Sequence, residues 1–312
     1  MPLMDANLDR SPRRRWLKAT AAAAVCIAAG SAVSQPAWPA KPIRLVVPFT
    51  PGGVTDTSGR LIAEQLSRRL GQQVVVDNRP GASGNIGTQQ VAAAEPDGHT
   101  LLLGFDGTMV INPHVFDKVP FNTVRDFAPV GKIGDAILIL VANPASPAKT
   151  LREVIALSKT QPGGLSYGTS GTGGTPHIAG ELLKQRTGAQ LVHVPYKGGG
   201  QAMTDVLGGN IPLVYTAIAG AVQHVKGGKL HAVAVSSAQR AKSLPDVPTF
   251  IESGVPDFDI NSWVGILAPV KTPRAIVERL NTELNAVLND PEVRDKLNAL
   301  GISATPGTPD AF

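Results

Sequence analysis

The sequence predicts an α/β protein made of two similar lobes. Short apolar segments alternate with amphipathic helical segments, and a strand–glycine turn–helix–strand unit occurs twice. Such alternation is typical of doubly wound sheets whose strands are mostly parallel. The repeat indicates that both lobes contain the same unit.

The repeated unit spans residues 43–78 and 166–195. A shift of 117 residues places Gly71 on Gly188 and aligns the strands that follow these glycines. The glycine turn lies 18 residues before Gly71 but 14 before Gly188, which predicts a first helix about one turn longer. Chance similarity between two strand–helix–strand units is the alternative.

Each unit has a glycine turn between its first strand and its helix. The turns contain PGG at residues 51–53 and GTGG at 171–174. Free N–H groups at a helix N-terminus attract anions, and glycine lets a ligand approach the backbone closely. Two such turns therefore predict a small acidic ligand held from both sides.

Residues 1–34 have the order of an export signal peptide. Three arginines at 13–15 precede an apolar run at 19–30, and small residues Ala32 and Ser34 follow. The run is too short for a permanent membrane span. The arginine pair also fits a twin-arginine signal, so both that route and the general secretory route stay open. Either route predicts cleavage, placed here after Ser34, and a periplasmic protein.

Removal of the signal changes the charge of the chain. Five of the 29 Lys and Arg residues and two of the 24 Asp and Glu residues lie in it, so the net charge falls from +5 to +2. A nearly neutral mature chain gives no reason to expect a nucleic-acid partner. The single cysteine, Cys26, also lies in the signal, which excludes disulfides and thiolate chemistry from the mature chain.

Eight apolar segments, including strands of the repeated unit, are predicted as strands: residues 43–47, 74–77, 101–103, 137–141, 191–194, 211–215, 231–236 and 264–268. Helix starts are predicted by capping signals at Thr150, at Thr272-Pro273 and at Asp290-Pro291. A fourth start at Thr308 predicts a terminal helix beyond Phe312.

Proline-rich connectors set the expected lobe limits, which are 41–142 plus 254–312 for lobe 1 and 143–253 for lobe 2.

Six motifs resemble one known family. They are KPIRLVVPF at 41–49 followed by PGG and Asp56, NRPGASGNIG at 78–87, PDGHTL at 96–101, RDFAPV at 125–130, HVPYKG at 193–198 and LPDVPT at 244–249. Together they resemble the Bug-type periplasmic receptors, the substrate-binding proteins of tripartite tricarboxylate transporters. The resemblance covers essentially all of residues 41–312.

The resemblance implies a two-lobed type II periplasmic-binding-protein fold whose cleft closes on a small carboxylate. It also implies a monomer without cofactor or catalytic residues that delivers its ligand to membrane subunits of a transporter. Backbone amides, hydroxyls and bridging waters would hold the ligand. By position, the implied ligand-binding residues are Thr50, Gly52, Gly53 and Thr55 in the first turn, and Ser170, Gly171, Thr172 and Gly173 in the second.

Three further candidates have competing interpretations. Asp56 lies in the first turn of a predicted helix, where capping explains a carboxylate as well as ligand contact does. His177 has the matching place in the second unit and fits a helix-start residue better than a catalytic base. Tyr196 is a candidate for the cleft wall.

The chain departs from the family after the strand at 101–103. Phe105 and Asp106 stand before Gly107 and Thr108, where relatives usually have small hydroxyl residues. We expect Asp106 and Thr108 to line the cleft. A carboxylate there would repel a second ligand carboxylate and attract an ammonium, so Asp106 predicts preference for an amino acid or a less charged acid.

The sequence leaves two other functional classes as alternatives. A secreted hydrolase would use Ser170, but GTSGT at 168–172 lacks the last glycine of Gly-x-Ser-x-Gly. No P-loop or dinucleotide fingerprint is present, and the six histidines lack metal-ligand spacing. A receptor that signals through a membrane sensor is the second alternative. We therefore expect a binding protein and not an enzyme.

Overall fold

The computed structural model describes residues 38–312, so the predicted signal at 1–34 and its Cys26 lie outside the described residues. Ten strands form one mixed sheet in this part of the chain. They are β1 Ile43–Val47, β2 Val74–Asn78, β3 Thr100–Phe105, β4 Phe127–Ala142, β5 Leu165–Thr169, β6 Leu191–Pro195, β7 Leu213–Ala217, β8 His231–Val235, β9 Asn261–Pro269 and β10 Ile302–Ala304.

Ten α-helices cover the sheet within residues 38–312. They are α1 Val54–Leu70, α2 Asn85–Ala92, α3 Asn112–Val115, α4 Thr123–Asp126, α5 Leu151–Thr160, α6 Thr175–Thr187, α7 Gly199–Leu207, α8 Ile218–Lys226, α9 Arg274–Asn289 and α10 Pro291–Ala299. A π-helix spans Gly107–Ile111, and 3₁₀ turns span Ala82–Gly84 and Pro309–Ala311. None of the described helices is long and apolar enough to cross a membrane.

The repeated unit is present twice in the sheet. The first unit (β1, α1, β2) and the second unit (β5, α6, β6) each add a third parallel strand, in the orders β2-β1-β3 and β6-β5-β7. Helix α1 has 17 residues and α6 has 13, as predicted. Both end at a left-handed glycine, Gly71 with φ 68° and Gly188 with φ 67°.

Strand β4 connects the two parts of the sheet and is much longer than the predicted strand at 137–141. Its first part pairs antiparallel with β9, and its last five residues pair with β7 and β8. Proline and glycine disfavour strands, and the early part contains Pro129, Gly131 and Gly134. Register shifts next to these residues accommodate them, so the strand continues.

Helices start where the capping signals predict them, but only two of the three predicted caps form. Helix α9 begins directly after Pro273 without a side-chain cap from Thr272. The Thr150 side chain accepts from the Glu153 N–H in a complete capping box, and Asp290 caps α10. The Thr308 signal opens a 3₁₀ turn at Pro309–Ala311. The two repeat helices bury different stripes: Ile62 of α1 is fully buried, whereas Ile178 of α6 is 39% exposed because Ala179 and Leu183 face the sheet instead.

Candidate ligand-binding site

Four helix N-termini meet at one small cavity between the repeat units, here called the inner cavity. Its volume of about 20 Å³ is close to that of one water molecule. The first residues of α1, α6 and α7 line it together with the junction of β7 and α8. The lining residues are Phe49, Gly53, Val54, Thr55, Phe105, Leu138, Ser170, Pro176, Gly199, Thr216 and Ala217.

Helix N-termini, and not charged side chains, determine the electrostatics of the inner cavity. Helix N-termini carry partial positive charge and unpaired N–H donors. No charged side chain is among the lining residues that the structure describes. A much larger groove of about 1000 Å³ beside β8 shares none of these residues.

The first glycine turn is held by a buried carboxylate. The Gly52 N–H donates to Asp56 Oδ2 at 3.0 Å, while Arg60 and Asn78 donate to the same carboxylate at 2.9 to 3.1 Å. Burial raises the pKa of Asp56, but these hydrogen bonds outweigh it and the net pKa is lowered. Asp56 thus fixes the turn and does not line the inner cavity.

The second glycine turn is held by imidazole rings. The Gly173 N–H donates to His177 Nδ1 at 3.1 Å, and the His177 ring stacks on His193 at 3.8 Å between centroids. His193 Nε2 lies 2.7 Å from the hydroxyl of Thr169, which donates to the Gly171 carbonyl at 2.9 Å. Burial lowers the pKa of His177, and burial together with the neighbouring His177 lowers the pKa of His193 to about 4. Neutral rings therefore support the turn.

A third glycine segment faces the first turn and was missed by sequence reasoning. Gly198 caps α7, and Gly199 lines the inner cavity. A Cβ on Gly200 would collide with the Pro51 carbonyl, so the two segments approach at backbone distance. The hydroxyl oxygen of Thr50 is buried here and makes no hydrogen bond within the described residues. The sequence signal for this segment is the run of three glycines that follows HVPYK. Only the close approach to Pro51 shows that these glycines lie against the first turn.

Asp106 links the end of β3 to the second unit. Its Oδ1 accepts from Ser262 Oγ at 2.6 Å and from the Gly107 N–H at 2.8 Å, and its Oδ2 accepts from Thr175 Oγ1. Burial raises the pKa of Asp106 to about 6 although these hydrogen bonds oppose the rise. Both oxygens are thus occupied by the protein, and Asp106 is not part of the cavity lining.

A narrow seam lies beside the inner cavity and leaves no free volume; it is here called the outer seam. It shares Phe49, Phe105 and Ser170 with the inner cavity. The other lining residues of the outer seam are Ser83, Gly107, Thr108, Gly171 and Gly174. Thr108 donates to the Ser83 carbonyl at 3.0 Å, and Ser83 has a left-handed φ of 53°.

The predicted site residues thus fall into three groups. Gly53, Thr55 and Ser170 line the inner cavity, while Thr108 and Gly171 line the outer seam. Thr50, Gly52, Thr172 and Gly173 belong to the turns but line neither space. Asp56, Asp106, His177 and Tyr196 make contacts within the protein, the Tyr196 hydroxyl donating to Asp205 at 2.8 Å.

A family model described as tripartite tricarboxylate transporter family receptor matches residues 59–309. The chain belongs to this receptor family. The protein BugT of Bordetella pertussis is similar to this receptor, with 37% identity over 279 residues that cover 89% of this chain and 86% of BugT.

Two solved structures are also similar to this receptor. Rpa4515 of R. palustris with adipate has 35% identity and a TM-score of 0.85, over 88% of this chain and 92% of the other. MatC of Rhodopseudomonas palustris with bound malate has 32% identity and a TM-score of 0.81, over 86% and 91%. The α/β fold of periplasmic binding proteins implied by the resemblance is therefore confirmed. The family and these neighbours are solute-binding receptors.

Proposed function

We propose that this receptor captures a small carboxylate in the periplasm and delivers it to the membrane subunits of a tripartite tricarboxylate-type transporter. The observation that carries the proposal is the convergence of four helix N-termini on a cavity whose lining has no charged side chain. Backbone N–H groups and helix dipoles bind a carboxylate at such a place. Adipate in Rpa4515 and malate in MatC support this ligand class.

Two lobes would hold the ligand, with limits at 41–142 plus 254–312 and at 143–253. The first turn would contribute Thr50, Gly52, Gly53 and Thr55, and the second Ser170, Gly171, Thr172 and Gly173. An inner cavity of about 20 Å³ is too small for a dicarboxylate, so the lobes must separate and close again around the ligand. Ligand contacts with both lobes then favour the closed state.

The unpaired hydroxyl of Thr50 supports a role for the first turn. A buried polar atom without a partner has a free-energy cost, which a ligand oxygen or a bridging water would remove. A Thr50→Val variant keeps the side-chain shape and removes this donor. We expect weaker ligand binding with unchanged folding, and calorimetry checks both.

A thermal-shift and calorimetry screen tests the proposed ligand class. The exported protein, purified from the periplasm, is titrated with mono-, di- and tricarboxylates, aromatic acids and amino acids. At 100 times Kd a bound acid stabilises the fold by about 2.7 kcal/mol. Scattering at saturation should show compaction. Absence of binding by every acid contradicts the proposal.

Ligand charge preference is tested separately at Asp106. Its negative charge near the cleft would disfavour citrate-like ligands relative to amino acids or less charged acids. Because both oxygens accept from protein donors, a ligand ammonium would have to replace Thr175. Calorimetry with Asp106→Ser decides the point, since unchanged selectivity contradicts this role.

A receptor and a hydrolase differ in the role of Ser170, which lines both spaces. We expect Ser170→Ala to retain ligand binding, and we expect the wild type to show no esterase turnover. Turnover that disappears in Ser170→Ala would favour the hydrolase.

A further inference from the structure

Phe105 is the last residue of β3 and lies between the inner cavity and the outer seam. Its side chain is 3% exposed and lines both spaces. The ring packs edge-to-face on Phe49, with centroids 5.6 Å apart and planes at 79°. This arrangement is favourable for two aromatic rings and holds the Phe105 ring in one orientation.

The Phe105 ring also reaches across to the second glycine turn. A Cβ on Gly107 would lie 3.1 Å from its Cε1 atom, and a Cβ on Gly174 would lie 3.8 Å from the same atom. Gly107 follows β3, whereas Gly174 caps α6 of the second unit. The ring therefore occupies the space between the two units, and close packing on both sides prevents a simple displacement.

Polar groups line the outer seam. Its wall contains Ser83, Thr108, Ser170 and Gly171, of which Ser170 also lines the inner cavity. Such groups are suited to bind the far end of an acid whose first carboxylate lies at the helix N-termini. The Phe105 ring borders both the polar seam and the inner cavity, together with Phe49 and Ser170.

We propose that Phe105 limits the length of the ligand, so that the receptor prefers short acids and rejects long dicarboxylates. This inference rests on the proposed function, because it takes the inner cavity as the carboxylate site. An acid that extends past the inner cavity toward Ser83 and Thr108 of the outer seam meets the Phe105 ring, which borders both spaces. Its second carboxylate then loses hydrogen bonds with water without gaining new ones, which is costly in a buried place.

The test uses succinate, adipate and suberate as probes in calorimetry with the exported protein. Phe105→Ala removes the ring and joins the two spaces. We expect the affinity for suberate relative to succinate to rise by about tenfold or more, since a few methylene groups in an apolar space have effects of that size. Phe105→Leu retains bulk and should keep the wild-type order.

Two further variants keep the result decisive. Phe105→Val truncates the side chain with a residue that suits a strand, and it replaces Phe105→Ala if that variant does not fold. Phe121→Ala is the matched control, because Phe121 is also buried against another ring but lines neither space. It should lower thermal stability without changing the length preference.

The outcomes separate the two proposals. If the wild type binds none of the acids in the wider screen, the proposed function fails. If the wild type binds an acid but folded Phe105→Ala and Phe105→Val keep its length preference, the role of Phe105 is overturned. A shift toward suberate in both truncations and in neither control supports it.

Discussion

The two glycine turns make the same backbone hydrogen bond to different chemical groups. Gly52 donates to the Asp56 carboxylate at 3.0 Å, and Gly173 donates to the His177 imidazole at 3.1 Å. Each acceptor is the third residue of its helix and lies four positions after its donor. The two units therefore share this hydrogen bond, although the residue that accepts it differs.

This difference shows how two similar folds can respond differently to pH. Asp56 is charged, and Arg60 and Asn78 stabilise that charge. His177 must be neutral at Nδ1 to accept the Gly173 N–H. The first turn thus depends on a group that keeps its charge in mild acid, and the second depends on one that must remain unprotonated.

Of the side chains that hold the two glycine turns, Asp56 should have the largest effect on stability when it is replaced by alanine. The replacement leaves the Gly52 N–H and two side-chain donors without their buried acceptor, which we expect to lower the free energy of unfolding by about 2–3 kcal/mol. Urea denaturation measures the change. Asp56→Asn is the control, because its amide oxygen still accepts from Gly52 and should reduce the loss. A change below about 0.5 kcal/mol in Asp56→Ala would contradict the anchoring role.

His177→Ala should have a smaller effect. It removes one neutral hydrogen bond and one ring stack, which together correspond to about 1–2 kcal/mol. His177→Asn offers an oxygen to Gly173 and should recover part of the loss. A larger loss of unfolding free energy in His177→Ala than in Asp56→Ala would contradict the expected order of the two side chains.

Acidification should weaken the second turn and spare the first. The pKa values of His177 and His193 are lowered from 6.5, so their stabilising effect is complete above that pH and is lost as the pH falls through each lowered pKa, which is about 4 for His193. Glu181, Lys184 and Tyr167 are the other titratable groups of this cluster. The lowered pKa of Asp56 means that its contribution is lost only below its usual 3.8.

Amide exchange between pH 7.5 and about 4.5 measures this difference, after correction for the intrinsic pH dependence of exchange. Protection of the Gly173 amide should fall over this range, while protection of the Gly52 amide should stay constant. Equal changes in protection at both amides would show that acid does not affect the His177 turn and the Asp56 turn separately.

Ile178→Ala should have the smallest effect. Ile178 lies on the exposed side of α6, so its truncation should change the free energy of unfolding by less than about 0.5 kcal/mol. Ile62→Ala in α1 is the matched comparison and should cost about 2–5 kcal/mol, because Ile62 is fully buried. Similar values for both would contradict the assigned helix faces.

Much of the fold was predictable because its signals are local. The capping box at Thr150, the proline and aspartate at the start of α10, and the left-handed glycines Gly71 and Gly188 involve residues a few positions apart. The length of β4 was not predictable, since its glycines and proline argue against a strand and only pairing with β9 overrides them.

The candidate site was predictable only in part. Gly53, Thr55 and Ser170 follow from the glycine turns, but the contributions of Gly199 and Thr216 depend on where α7 and β7 pack. Asp106 is predicted to line the cleft, but its hydrogen bonds from Thr175, 69 positions away, and from Ser262, 156 positions away, could not be predicted from the local sequence.

Local signals in the sequence specify the repeated unit and its helix ends, because glycine conformation, capping and periodicity act between near neighbours. The receptor family was indicated by the resemblance of six motifs. Tertiary packing determines which groups line the cavity and which side chains support the glycine turns through hydrogen bonds. Those contacts depend on sheet order and register, which bring distant residues together. Asp56 and His177 are each the third residue of a helix that follows a glycine turn. Their different partners come from the tertiary packing around each turn.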